Sequence, residues 1–434
     1  MLGWCLNAVY LTVLLLASPF LMYRRVVQKK PVAGLRDKLT GRLARQHPDR
    51  PCVWFHAVSV GEVLQLPTLI ADFVATHPHH EILITTTTGT GFDVAKQKFP
   101  QHTIGYWPFD FTWAVTCALQ TVRPEMVVLV ELELWPNFLL AARSMKIPVA
   151  LINGRISANS FRGYQRLTAL WKRVLPALTC CAVQTEEYAA RLIALGVPAD
   201  RVTVTGNIKF DRVQSNRRNP KTEELRRFFG IAENELVFIA GSTQETEEAA
   251  AITTWETLRV EVPQLRLILV PRHKERFEDV AQLITSRGQN VIRRSTSVPQ
   301  PLALSSQPIL LLDTLGELGA CWGLADVAFV GGSLTNRGGQ NMLEPAGYGA
   351  AVLFGPNTRN FKDIVDQLLA CDAARVVQNG EELTAAVGQL LRDADERHRL
   401  GTAAREFVQT QQGATAKTLA VMAEITPNLD RAAA

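Results

Sequence analysis

The 434-residue chain is 47% hydrophobic and 20% charged, with a formal net charge of +5. That balance excludes a disordered or low-complexity protein, and the length exceeds one usual hydrophobic core, so two domains are expected. Seven cysteines without a CxxC pair give neither a disulfide framework nor a zinc site and point to a reducing compartment; adjacent Cys180 and Cys181 read as buried small apolar residues.

From Leu2 to Tyr23 no side chain is charged, and the run is long enough to span a bilayer as a helix. Arg24, Arg25, Lys29, Lys30, Arg36, Lys38, Arg42 and Arg45 follow at once. A cleaved signal would carry its positive charge before the apolar run, so this segment, 1–25, reads as a retained anchor. The alternative is an apolar helix lying in the interface or folded onto the protein. The basic side faces the cytoplasm by the positive-inside rule and suits anionic headgroups. Nucleic acid is not expected, because no aromatic residue interleaves with the basic cluster after Tyr23.

Beyond the anchor, β-rich runs alternate with helical patterns: CVWFHAVSV, EILITTTT, MVVLVELEL, PVALIN and CCAVQ, each followed by a helix or a turn. Such alternation implies parallel βαβ units. The polar stretch RVQSNRRNPKTEEL marks a boundary, and LVFIAGST, LRLILVPRH, PILLLD, ADVAFVGGS and AAVLFGP begin a second series. The expected fold class is therefore α/β: two doubly wound, Rossmann-like domains, 26–212 and 220–434, with a ligand cleft between their carboxyl edges. The far C-terminal helix is assigned to the second domain, its crossing back to the first being left open.

Chemistry-bearing residues gather at the predicted strand ends. Glu62 follows Gly61 where a strand gives way to a helix whose start is pinned by Pro67; it is either a helix-dipole partner or a general base. ITTTTGTGF, residues 84–92, lacks the third glycine of a dinucleotide fingerprint and reads as a threonine-rich strand and flexible turn. In LVELELWPN, Glu131 and Glu133 are expected on one strand face, with Pro136 ending the strand and Asn137 capping the next helix. Arg155 and Lys209 each follow a strand and a glycine and favour an anionic ligand.

In the second series, the glycine-rich run of residues 330–356 suggests exposed amides and a helix start near Asn341 to Glu344 that bind an anion, with Glu344 reaching a ribose. Arg272 and His273 would meet a phosphate, and the amides of Gly316, Glu317 and Leu318 a base or phosphate. HPHH at 77–80 reads as a solvated loop, without a second ligand cluster for a metal.

HAVSVGE, ELELWPN, NGRIS, GNIKFD, AGST, PRH, LGEL and GGS(x)4GGxNxLEP, in that order after an apolar N-terminus, resemble the 3-deoxy-D-manno-octulosonic acid (Kdo) transferases of lipopolysaccharide synthesis over nearly the whole chain. The resemblance implies a GT-B fold and an inverting, metal-independent transfer of Kdo from CMP-Kdo to a lipid A precursor such as lipid IVA. It places the enzyme on the cytoplasmic face of the inner membrane and implies no cofactor. It makes Glu62 the proton acceptor and Glu131 and Lys209 stabilisers of the transition state. CMP would be held by Arg272, His273, Gly316, Glu317, Leu318, Asn341, Met342, Leu343 and Glu344. Another GT-B enzyme using a UDP-sugar, whether transferase or epimerase, is the alternative. One departure is Gln340, where the family usually has histidine; glutamine can hydrogen bond there but cannot carry a proton charge.

Overall fold

The computed structural model describes residues 2–26, 33–296 and 307–425; Lys29 and Lys30 of the basic cluster, and the side chains of Arg24 and Arg25, lie outside that description. The chain divides into two compact units, Met1–Arg212 with Gln412–Ala434, and Val213–Gln411.

The first unit is built on strands β1 (Cys52–His56), β2 (Glu81–Thr86), β3 (Thr103–Tyr106), β4 (Met126–Val130), β5 (Val149–Gly154), β6 (Cys180–Val183) and β7 (Val202–Val204), in the order β3-β2-β1-β4-β5-β6-β7. Every pairing is parallel. Both faces are covered, so the strands are apolar on both sides. Along β1, Val53 and Phe55 pack with Leu66, Leu69, Ile70 and Phe73, whereas Cys52 and Trp54 face Trp107, Phe138 and Leu139. Each such side chain contributes about 1.5–3 kcal/mol by leaving water. Cys180 and Cys181 are buried in β6, and all seven cysteines are free thiols.

The second unit has β8 (Leu236–Thr243), β9 (Leu265–Pro271), β10 (Val291–Arg293), β11 (Ile309–Leu311), β12 (Val327–Val330), β13 (Ala351–Phe354) and β14 (Ala374–Val376), again all parallel, in the order β10-β11-β9-β8-β12-β13-β14. Strand order reverses beside β1 in one sheet and beside β8 in the other. In open α/β sheets the carboxyl ends at such a reversal diverge and leave room for a ligand.

Several local expectations are corrected. The helix expected to start at Glu62 is two pieces, Val60–Val63 and Leu66–Thr76, because Pro67 has no amide to continue the first into the second. Asn137 does not cap its helix; the Asp110 carboxylate does, accepting from the amides of Asn137 (3.0 Å) and Phe138 (2.8 Å). His80 is buried rather than solvated and lies 3.5 Å from Glu125. The second unit starts at Val213 and not at residue 220: the Arg217 guanidinium donates to the carbonyls of Tyr348 and Ala325, and Asn219 caps helix Pro220–Phe229.

The last helix, Ala414–Glu424, belongs to the first unit and not to a 220–434 domain. Its Val421 and Met422 join the core beneath β1 and β5, and Asp211 accepts bonds from the amides of Gly413 and Thr415 at its start. A cap donated from elsewhere in the chain is thus what holds this helix end. Asp211→Ala should lower stability by about 1 kcal/mol and selectively raise amide exchange in 414–424; unchanged exchange there would show that apolar packing alone retains the helix.

Candidate active site

At the strand-order reversal of the first unit, the turn after β1 brings Glu62 back onto its own loop. Its Oε2 accepts from the Val58 amide at 2.8 Å and its Oε1 from the Ser59 hydroxyl at 2.9 Å. The carboxylate is therefore partly the local fastener that a first-turn glutamate can be. Each oxygen still keeps a second lone pair, and the residue is only half-buried. Burial pushes its pKa up to about 7, and the charges of Glu131 and Glu133 add to the rise; the Val58 and Ser59 bonds oppose it without winning. At neutral pH the group is divided between acid and base.

Glu131 and Glu133 lie beyond β4 and not on one strand face. Glu131 takes a left-handed backbone, φ 61°, which a non-glycine residue adopts only when its surroundings demand it, and the strand alternation ends there. The demand is visible in its contacts. Glu131 Oε1 accepts from Gln65 Nε2 at 2.9 Å and sits 3.3 Å from Lys209 Nζ, both partners of this ion pair being partly exposed. Gln65 Oε1 in turn accepts from Asn153 Nδ2 at 2.7 Å, and Asn153 Oδ1 accepts from the Ile208 amide at 3.2 Å. Asn153 is fully buried and also left-handed, φ 51°. A closed polar chain thus links the ends of β4, β5 and β7 and holds one anion and one cation together. Glu133 turns elsewhere, accepting from Trp135 Nε1 at 2.9 Å and standing 3.7 Å from Nε2 of buried His56. Burial holds the His56 imidazole below its usual pKa, despite Glu133, and Trp107 stacks on it at 3.9 Å. Arg155 is half-buried just past β5.

In the second unit the glycine-rich turn after β12 does not offer its first amides to an anion. Glu247, fully buried at the start of helix Glu247–Leu258, already takes the amides of Gly332 (2.7 Å), Ser333 (3.0 Å), Leu334 (2.9 Å) and Gln244 (2.9 Å). Gly331 must be glycine, since a Cβ there would lie 2.6 Å from the Thr243 Cα and 2.7 Å from the Ser242 oxygen. The later part of the run remains available. Asn341 bridges to Glu344 Oε1 at 3.0 Å and accepts from the Leu343 amide, starting the short helix Leu343–Gly347. The side chains of Met342 and Leu343 are buried, which leaves only backbone to present at these positions, and the Gln340 amide packs over Gly332.

On the same sheet edge, Arg272 and His273 are exposed just past β9, and their side chains make no hydrogen bond or ion pair among the described residues. The Arg272 amide donates to Thr243 at the end of β8. Gly316, at φ 86°, turns the chain after β11, and the amides of Gly316, Glu317 and Leu318 have no acceptor among the described residues. The Glu317 carboxylate is spoken for: hydrogen bonds from Arg294 hold it below the usual range. Gly319 stands next to Glu344, a Cβ there lying 3.8 Å from its Oε2. The LGEL and LEP segments are therefore neighbours.

A family model described as 3-deoxy-D-manno-octulosonic-acid transferase (kdotransferase) matches residues 35–212. The 3-deoxy-D-manno-octulosonic acid transferase of Haemophilus influenzae is 33% identical over 369 residues, 85% of each chain. That of Bordetella pertussis is 34% identical over 377 residues, 85% of this chain and 86% of the other. The chain belongs to this family. Among solved structures, UDP-GlcNAc 2-epimerase from Neisseria meningitidis bound to UDP-GlcNAc aligns with a TM-score of 0.53 at 14% identity, covering 83% of this chain and 99% of that one, a likeness of GT-B fold.

Within this Kdo transferase, sequence reasoning missed Gln65, Asn153 and Glu247. Gln65 lies three residues after Glu62, one helical turn on, and Asn153 opens the NGRIS motif at a strand end; polar residues in such apolar settings were the signal. Glu247 resembled an ordinary first-turn acid, and nothing local distinguished it. Removing it orphans four amides, at about 1–3 kcal/mol per buried group. Glu247→Ala should therefore cost about 3 kcal/mol or more in chemical unfolding, and Glu247→Gln, with one acceptor oxygen left, less; an alanine variant as stable as the parent would remove the clamp.

Proposed function

We propose that this glycosyltransferase moves Kdo from CMP-Kdo to a hydroxyl of a lipid A precursor, lipid IVA, with inversion and without a metal ion, on the cytoplasmic face of the inner membrane. The observation that carries the reading is Glu62, a carboxyl poised near neutrality at a strand-order reversal beside a fixed Glu131–Lys209 pair. The family and the ordered motifs support the donor; the apolar helix Leu2–Val26 and the basic residues after it support the location.

In this mechanism the acceptor hydroxyl oxygen bonds to the anomeric carbon of Kdo while the bond from that carbon to the CMP phosphate oxygen breaks. The hydroxyl proton passes to Glu62, and CMP leaves with the bonding pair. A base works best with a pKa near the working pH, because it is then both ionised and basic enough. Positive charge developing on the sugar favours the Glu131 carboxylate, and Lys209 meets the Kdo carboxylate or the departing phosphate. Arg272 supplies positive charge, and His273 a ring nitrogen for hydrogen bonding, where the phosphate gains its own charge. The amides of Gly316, Glu317 and Leu318 and the segment Asn341, Met342, Leu343 and Glu344 complete the CMP site, the last through the Asn341–Glu344 bridge and backbone.

Incubating the purified protein with CMP-Kdo and lipid IVA, then weighing the lipid by mass spectrometry, tests the reading: each Kdo added is expected as a discrete mass increment, and the same result with a UDP-sugar instead would replace it. Glu62→Gln should lower kcat by roughly 10²–10⁴-fold with CMP binding nearly unchanged. A variant keeping most of its turnover would remove Glu62 as the base.

The pH dependence follows from the sign of the shift. A base with a pKa of about 7 is protonated and inactive below it, so kcat/KM should rise with pH up to about 7 and then level. Ser59→Ala deletes a donor to the ionised form and should move that limb to higher pH. Folding is affected in the opposite sense: the stability linked to Glu62 is fully present at acid pH and is lost as pH rises from the usual glutamate range through about 7. A pH profile with no limb near neutrality, or one unmoved in Ser59→Ala, would separate Glu62 from the rate-limiting proton transfer.

A further inference from the structure

Helix Leu2–Val26 is long and apolar enough to cross a membrane by length and composition, yet its first turns are hydrogen bonded to the folded body. Asn7, 3% exposed, donates from Nδ2 to the Thr112 hydroxyl at 2.7 Å, while its Oδ1 accepts from the Thr112 amide at 3.1 Å and from Asn137 Nδ2 at 3.2 Å. One turn on, the Tyr10 hydroxyl donates to Asp110 Oδ2 at 2.9 Å, and its ring packs edge-on against Phe111. Gly3 allows the close approach, since a Cβ there would lie 2.9 Å from Thr112 Cγ2. The less exposed positions, Gly3, Leu6, Asn7, Tyr10, Leu14 and Ala17, recur at the helical period. They form one stripe along the helix, and the rest of its circumference, with Leu11, Val13, Leu15, Leu16 and Phe20, is exposed.

Length and position conflict with a full crossing. Residues 10 and 26 are separated by about 24 Å of helix, most of the ~30 Å hydrocarbon layer. Were Arg24 and Arg25 at the cytoplasmic surface with the helix upright, Asn7 and Tyr10 would lie deep toward the far side, out of reach of Thr112 and Asp110. The chain that follows the helix also returns to this place: the Phe109 amide donates to the Lys38 carbonyl at 2.8 Å. Residues 26 and 38 are joined by at most about 40 Å of extended chain, ample for a helix lying along the body.

We propose that the N-terminal helix is a one-leaflet anchor: its Asn7–Tyr10 stripe is latched to the first unit, and its exposed apolar side enters the cytoplasmic leaflet of an anionic phospholipid membrane. The inference rests on the membrane location proposed above and changes its geometry. The occupant is a lipid leaflet because the apolar helix is followed directly in sequence by Arg24, Arg25, Lys29, Lys30 and Arg36, whose charge suits anionic headgroups. An amide and a phenol with protein partners at one end, and bare aliphatic side chains beyond, match a helix in the interface and not one surrounded by acyl chains.

Two readouts on the full chain in native inner-membrane vesicles test it. In Asn7→Cys/Thr112→Cys, with Cys5 and Cys117 replaced by serine, mild oxidation should cross-link most of the protein, and retained Kdo transfer verifies its fold. In the otherwise unaltered chain, a cleavable peptide tag added before Met1 should be removed by protease in inside-out vesicles. No cross-link in an active variant, or a tag cut only in right-side-out vesicles, overturns the one-leaflet anchor. Flotation with liposomes containing phosphatidylglycerol separates the two readings: a chain that fails to float loses the membrane location itself, whereas one that floats but is cut only from the far side loses only the geometry proposed here.

Discussion

A parallel sheet covered on both faces has nowhere to put a polar side chain except its ends, and this constraint organises the first unit. Val53 to Phe55 and Val127 to Val130 are wholly apolar and buried, so the chain's polar chemistry is displaced to the turns that follow. Once β1 and β4 lie side by side with their connections running in opposite directions, those turns diverge. Glu62, Gln65 and Glu131 thereby meet, although Glu131 is 69 residues beyond Glu62 in the chain. The left-handed backbones of Glu131 and Asn153 are the local strain of turning two such strand ends into one polar chain.

That chain gives two neighbouring carboxylates different characters. Glu131 has a cation and an amide donor, so its charge is matched where it stands. Among the described residues Glu62 has two neutral donors and no ion-pair partner, and it feels Glu131 and Glu133 as like charges; burial then decides the balance and lifts its pKa to about 7. One carboxylate is thus held in an ion pair, while the other, held by the Val58 amide and the Ser59 hydroxyl, has its proton affinity raised by burial.

The two sheets were legible in the sequence because unbroken β-branched runs alternating with helical patterns leave few other folds. The positions of Glu62, Lys209 and Arg272 were legible for a related reason: a charged residue in the turn that follows an apolar strand stands at the sheet's edge. What the sequence concealed was how amides and carboxylates pair off. The glycines after β12 advertise free amides, and nothing in the local pattern tells that Glu247, 85 residues before Gly332, has claimed them. The last helix was misplaced for the same reason, since its cap, Asp211, lies 202 residues before Gly413 and its apolar seat earlier still in the chain. Long-range partners of polar groups are set by topology, and topology is read only after the strands are ordered.

The same reasoning bears on the N-terminal helix. Hydropathy reports how much a segment would gain by leaving water, not where it goes, and a run of apolar residues satisfies the test whether it spans or lies flat. The discriminating residues are the polar ones inside the run. Asn7 and Tyr10 would be costly in hydrocarbon without partners, and here their partners are side chains and amides at residues 110–137. Asp110 ties the arrangement together, because the carboxylate that receives Tyr10 also caps the helix Pro136–Ser144 that follows Glu131 and Glu133. The apolar N-terminal helix and the loop carrying the polar cluster therefore share one buried acid, so the helix's seat on the body and the position of that loop are set by the same hydrogen bonds.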